Sequence, residues 1–306
     1  MEVCIVSRTQ HTVSGRRQRI LIQKLRGDRE QECSQEAKQQ AEPLNCFIAY
    51  HHPVHIPDRL SNEPSQHPPM NDPIPIRTSW LDFPDVILHA SETAVKQHVA
   101  YTNAKAGDSD AAFQLVQDTI SPEAVAKIID LAAGGVPLLA SAHAFEKTGV
   151  NAIPEAMADE LAERTGFPVD GSIVQINVVG HTGANGFARL AKQALFDGDV
   201  VEGVDYLLVD DFIGQGGTLA NLKGYIESKG GRVIGATVLT GKPFSAKLTP
   251  TNEQLTALRQ KHGEQLETWW ISRFGHDFDR LTQSEARYLE RTPDALTIRD
   301  KIAAAE

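Results

Sequence analysis

Tyr206-Leu207-Leu208-Val209-Asp210-Asp211-Phe212-Ile213-Gly214-Gln215-Gly216-Gly217-Thr218-Leu219 joins an apolar run to two adjacent acids and then to a glycine-rich turn. An uncharged run of this kind reads as a buried strand, here surfacing at Asp210 and Asp211. Beyond the turn, Leu219, Leu222, Tyr225 and Ile226 recur at helical spacing until Gly230-Gly231 stops the pattern. In a strand–turn–helix unit with glycines around Gln215, successive backbone N–H groups converge. Thr218 adds a hydroxyl, and the positive end of the helix favours an anion. The expected result is a phosphate cradle. Two carboxylates immediately before it would repel a bare phosphate, so the ligand should also carry sugar hydroxyls for Asp210 and Asp211, with Mg²⁺ offsetting the remaining charge.

The segment Asp210 to Thr218 resembles the signature of the type I phosphoribosyltransferases. That resemblance implies that Asp210 and Asp211 hold the 2′- and 3′-hydroxyls of phosphoribosyl pyrophosphate (PRPP). The acidic pair would also meet Mg²⁺, mainly through ribose hydroxyls or water, and Gly214, Gln215, Gly216, Gly217 and Thr218 would receive the 5′-phosphate. The family usually has Thr, Ser or Asp where this chain has Gly214 and Gln215, so backbone N–H groups and Thr218 are expected to carry that phosphate. A dinucleotide-binding loop fits less well, because Leu219 stands where its third glycine belongs, and no Walker lysine is present.

With 306 residues, 41% hydrophobic and 23% charged, the chain has enough apolar material for a sizeable core. A net charge of −10 argues against a duplex-binding surface, so no nucleic-acid partner is expected. Cys4, Cys33 and Cys46 lack CxxC spacing and are odd in number, which indicates neither a disulfide framework nor a zinc site and suits a reducing cytoplasm. No apolar run is long enough for a bilayer span, and the start is too quickly polar for a signal peptide.

Residues 1–75 differ in composition from the rest. A basic cluster from Arg16 to Arg29 leads into a Gln/Glu-rich stretch and then a His/Pro-rich one, which promises little packed core and reads as a disordered or over-extended segment. Cys46, His51, His52 and His55 sit among prolines rather than on a helix face, and the basic cluster reads as solvated surface. Composition becomes ordinary at Met70, which is therefore read as the natural initiator.

From Trp80 the pattern is globular, giving one domain over 80–306. Ser91 is a helix cap, Ala111 to Gln117 reads as helix, and Ser121-Pro122-Glu123 opens another helix through Leu131. Strands near Val136, Ile173, Tyr206 and Arg232, separated by helices, give an α/β fold: a mainly parallel twisted sheet with helices on both faces and functional loops at the carboxyl ends of its strands. By resemblance, the core covers about 120–241, and a smaller hood from 80–120 and 242–306 selects the acceptor. Within that hood, Thr251 with Gln254 and Thr282 with Glu285 read as capping boxes, the first before a helix ending near Gly263. The aromatic cluster Trp269, Trp270, Phe274 and Phe278 reads mostly as core.

The resemblance also implies that the loop after the Val136 strand receives pyrophosphate. Lys147, Thr148 and Gly149 stand there, with His143 nearby. Gly180 to Gly186 stands where a closing loop lies in the family, followed by Arg189 and Lys192 as candidates, with His181, to neutralise the leaving pyrophosphate. The expected catalytic set is Asp210, Asp211, Lys147 and Arg189. The implied activity is Mg²⁺-dependent transfer of 5-phosphoribosyl from PRPP to a nitrogen of a nucleobase-like acceptor, in a protein that, like related enzymes, forms a homodimer. The rival readings are a PRPP- or nucleotide-sensing regulator without turnover and a hydrolase that uses water as acceptor.

Overall fold

Strands and helices alternate from Ile87 onward in the computed structural model, which describes residues 74–142, 145–146, 149–179 and 185–305; residues 145–146 and 149–150 are described by backbone alone. In chain order these are β1 (Ile87–Ala90), α1 (Glu92–Lys96), α2 (Tyr101–Lys105), α3 (Ser109–Thr119), α4 (Pro122–Leu131), β2 (Leu138–Ser141), β3 (Phe145–Glu146), β4 (Gly149–Val150) and α5 (Ile153–Thr165). There follow β5 (Val169–Asp170), β6 (Val174–Gln175), α6 (Gly186–Ala191), β7 (Phe196–Asp197), β8 (Asp205–Ile213), α7 (Gly217–Ser228) and β9 (Arg232–Gly241). The last helices are α8 (Asn252–Phe274), α9 (Gln283–Arg291) and α10 (Ala295–Ala303). The expectations placed on residues 1–73, among them the N-terminal histidines and the initiator Met70, lie outside the described residues, as do those on His143, Lys147, Thr148 and His181.

The main sheet is five-stranded in the order β1-β9-β8-β2-β5, and every pairing is parallel. Side chains alternate across a strand, and β8 shows both faces being covered. Leu207 and Val209 join a core built with Leu115 and Val116 of α3, Val125 and Ile128 of α4, and Ile153, Met157 and Leu161 of α5. Tyr206 and Leu208 face the other way, into a core with Leu219, Leu222 and Ile226 of α7. A third core, assembled from α6 and the C-terminal helices, surrounds the fully buried Trp270. Trp270, Phe274 and Phe278 are thus core residues, as their composition suggests.

Local capping follows the sequence. Ser91, Ser121, Thr251 and Thr282 each accept a backbone N–H in the first turn of the helix they precede, and Thr282 with Glu285 forms the complete reciprocal box. Helix geometry breaks at Gly263 (φ +75°, ψ 167°), where the helix opened by Thr251 was expected to end, and a second helical segment runs on from there to Phe274.

Three expectations need correction. First, the Ile173 stretch is not a strand of the main sheet. Val169–Asp170 pairs with β2 instead, and Val174–Gln175 forms an antiparallel ribbon with β7. Val174, Ile176 and Val178 are exposed, so their alternation marks a ribbon covered on one side, whereas an inner parallel strand is buried on both. Second, Ile87–Ala90, within the segment assigned to a hood, pairs with β9 as a sheet edge. His89 of this strand is buried; its Nδ1 accepts the Ser121 N–H (3.2 Å) and its Nε2 lies 3.0 Å from Thr237 Oγ1. Third, β8 does not surface at Asp210, which is buried. Its pairing with β9 continues through Asp210 opposite Val238 to Ile213 opposite Gly241.

Candidate functional site

At its C-terminal end β8 carries Asp210 and Asp211, and Gly214 to Gly216 turn the chain into α7. Gly216 precedes that helix at φ +83°, a left-handed conformation natural to glycine, and no side chain caps the helix. The first intrahelical bond of this turn runs from the Ala220 N–H to the Gly216 carbonyl (3.0 Å). By helix geometry the N–H groups of Gly217, Thr218 and Leu219 then point out of the helix end.

They do so beside a cavity of about 240 Å³, far more than the ~15 Å³ one water needs. Asp210, Asp211 and every residue from Phe212 to Leu219 line it. The acidic pair and the glycine turn, adjacent in sequence, therefore share one hollow at the carboxyl ends of the parallel strands. This is where open α/β sheets place ligands.

The two carboxylates are not equivalent. Asp210 is buried and accepts the Asp211 N–H (2.8 Å). Burial first, and the neighbouring charge of Asp211 second, hold the Asp210 carboxyl well above the usual carboxylate range. Asp211 is paired with Lys105 of α2 at 3.1 Å, both side chains being largely buried. One acid is thus biased toward its neutral form while the other keeps a counter-ion supplied by α2.

Arg189, expected to neutralise a leaving pyrophosphate, lines the cavity and stands at the glycine turn. A Cβ at Gly214 would collide with its Nη1. Burial lowers the pKa of Arg189, but from a value so high that the guanidinium remains charged. Lys192 is the C-cap of α6 and does not line the cavity. Gly149 stands in the β3–β4 ribbon, opposite Glu146. Lys96, Tyr101, Lys105, Asn151 and Gln193 line the cavity without having been singled out from sequence, and Lys96 Nζ lies 4.8 Å from the centre of the Phe212 ring.

Behind the glycine turn, the two ends of the fold meet. Arg77 donates from Nη1 and Nη2 to the two carboxylate oxygens of Glu285 (2.5 and 2.8 Å), and from Nε to Asn221 Oδ1 of α7 (2.8 Å). Thr282 Oγ1 donates to the Gln215 carbonyl (2.5 Å) while accepting the Glu285 N–H (3.1 Å). Glu285 is thus both half of a capping box and a buried brace on the loop. Desolvation would raise its pKa, but the Arg77 charge and hydrogen bonds hold it below the ordinary glutamate value.

The donor set also bears on metal binding. Among the described residues no group of three or more His, Cys, Asp or Glu side chains is placed to hold an ion. Two adjacent carboxylates fit Mg²⁺, which is commonly held by one or two acids with waters and substrate oxygens completing its shell. No helix among the described residues is long and apolar enough to cross a membrane.

Comparison with known proteins finds no matching family model. The chain is 40% identical over 229 residues to "Protein TraN" of Escherichia coli, a match covering 75% of this chain and 51% of that protein. It spans about half the length of that relative. An uncharacterized protein of Haemophilus influenzae is 41% identical over 152 residues, covering 49% of this chain and 34% of that protein. Among solved structures, adenine phosphoribosyltransferase of Thermoanaerobacter pseudethanolicus is similar at 20% identity and a TM-score of 0.27, over 43% of this chain and 75% of that one. The Leishmania tarentolae adenine phosphoribosyltransferase is similar at 14% identity and a TM-score of 0.28, over 62% and 92%.

Proposed function

We propose that this chain binds Mg²⁺-PRPP and transfers its 5-phosphoribosyl group to a nitrogen of a nucleobase-like acceptor, releasing pyrophosphate. The observation that carries the proposal is that Asp210, Asp211 and the glycine turn line one cavity at the carboxyl ends of parallel strands. In this reading Asp210 and Asp211 orient the ribose through its hydroxyls. The outward N–H groups at the start of α7, with Thr218, fix the phosphate end, and holding both ends sets C1 of the ribose in place.

As the C1–O bond breaks, positive charge builds on the sugar and negative charge on the departing pyrophosphate. The carboxylate of Asp211 supports the first, and cations at the cavity wall, with Lys147 and Thr148 as further candidates, support the second. Mg²⁺, held near Asp210 and Asp211, would neutralise pyrophosphate charge when bound. The acceptor nitrogen forms the new bond to C1 on the opposite face, and its proton leaves to solvent or a basic group.

The sensor reading is favoured by one specific observation: Lys105 pairs with Asp211 at 3.1 Å, so a ribose approaching that carboxylate meets a counter-ion already in place. Calorimetric titration of PRPP into the full chain, with and without Mg²⁺, followed by a pool of free nucleobases and an assay for pyrophosphate, separates these readings. Mg²⁺-dependent binding with base-dependent release of pyrophosphate supports the transferase. Binding without release supports the sensor, release without any base supports the hydrolase, and absence of binding removes PRPP as the ligand.

A further inference from the structure

The glycine turn lacks side-chain hydroxyls at two positions, Gly214 and Gln215, yet a cation stands at the first of them. Arg189 Nη1 occupies the space a Cβ would need, so the missing side chain at Gly214 is what admits the guanidinium. Gly214 does not adopt a positive φ, so its smallness serves this close approach rather than a turn requirement. Among the described cations lining the cavity, Lys105 pairs with Asp211, Lys96 lies over Phe212 and pairs with Glu92, and Arg189 stands against Gly214. Three residues after Gly214, the start of α7 presents backbone N–H groups without a side-chain cap.

We infer that Arg189 is the side-chain ligand of the terminal phosphate held by the glycine turn, replacing the absent hydroxyls, and that the Gly214–Arg189 pair forms one phosphate-recognition unit. The inference rests on the sugar-phosphate reading above but changes the part given to Arg189: from a partner of departing pyrophosphate to an anchor at the opposite end of the ligand. A guanidinium offers two parallel donors to a phosphate, and the α7 N-terminus offers backbone donors beside it. Such a site should prefer a phosphorylated ribose over a bare one because of side-chain charge as well as backbone donors.

Two variants test this from opposite sides. Arg189→Gln removes the charge. Gly214→Ala keeps the arginine but displaces its tip, and because the collision is with the far end of a flexible side chain the fold is expected to persist; circular dichroism checks both. Calorimetry on the full chain uses ribose 5-phosphate, inorganic pyrophosphate and PRPP as probes.

Loss of a charge-assisted phosphate contact should weaken ribose 5-phosphate binding about ten- to hundredfold in both folded variants, with pyrophosphate binding changed far less. Unchanged ribose 5-phosphate binding in both folded variants, or a loss confined to pyrophosphate, would overturn the inference and return Arg189 to the leaving group while leaving the proposed function standing. If the unaltered chain binds ribose 5-phosphate but not PRPP, and both variants weaken it, the phosphate unit stands and the PRPP reading falls. Failure of the unaltered chain to bind any probe overturns both.

Discussion

Replacing Arg77 by Met should unfold the chain more readily than any surface change, and the loss should depend on pH in a defined direction. Both members of the Arg77–Glu285 pair are almost fully buried, with side-chain exposures of 2% and 3%, so solvent screening is slight. Removing one partner of such a pair costs about 3–5 kcal/mol, because the other charge is left uncompensated. That is a large share of the roughly 5–15 kcal/mol typical of a domain. In the native chain the folded pKa of Glu285 lies below 4.5, so its contribution is present above pH 4.5 and is lost as pH falls through the folded value. In Arg77→Met, desolvation is left as the largest influence and raises that pKa. The deficit of the variant is then greatest at neutral pH and shrinks as acid neutralises Glu285. Urea unfolding followed by fluorescence of Trp80, Trp269 and Trp270, at neutral pH and near pH 4.5, measures this directly. Arg77→Met with Glu285→Gln should recover much of the loss, since no charge then remains buried alone. A single-variant cost below about 1 kcal/mol, the size of an exposed pair, or a double variant as unstable as two independent losses, would refute the reasoning.

Other outcomes follow from the same structure. Asp210→Asn should leave the ligand-free chain as stable as before or more so in thermal melts, because the native carboxyl is already pushed toward its neutral form, while binding of PRPP is lost; destabilisation would mean that the ionised acid supports the fold. Burial, then the Arg164 charge, lowers the His89 pKa from 6.5 to about 4, so the neutral ring stabilises the fold above pH 6.5 and this is lost as pH falls toward 4. The difference amounts to about 3 kcal/mol. His89→Gln should flatten that part of the pH–stability curve, and an unchanged slope would exclude His89 as its source. A Cβ at Gly224 would strike the backbone carbonyl of Ile76, so Gly224→Ala should cost at least ~1–3 kcal/mol in urea unfolding. A neutral effect would show that the segment before Arg77 can move aside.

The centre of the fold was legible because each local signal there agreed with its neighbours. The uncharged run of β8, the glycines after it and the periodic leucines of α7 point to the same strand–turn–helix unit, and its pairing in a parallel sheet follows from burial on both faces. The Ile173 stretch misled because one-sided alternation identifies a strand without identifying its partner. Arg77, Lys105 and Glu285 were invisible as parts of the cavity region for a different reason. Their partners lie 208 positions away for the Arg77–Glu285 pair and 106 for Lys105–Asp211, so no window of sequence contains the interaction. Glu285 did carry a signal, the capping box with Thr282, but a cap accounts for the residue so completely that nothing pointed to its second contact.

The hydroxyl of Thr282 that holds the Gln215 carbonyl has a consequence for the life of the chain during synthesis. Thr282 is added 67 residues after Gln215, and the Glu285 brace comes later still. At ribosomal speeds of about 5–20 residues per second, the glycine turn waits roughly 3–13 s for the group that fixes it. A nascent or truncated chain that stops before Thr282 thus contains the whole glycine turn but not the group that fixes it. The turn is fixed only once the segment carrying Thr282 and Glu285 has been made, which makes its geometry depend on helices that follow the sheet in the chain.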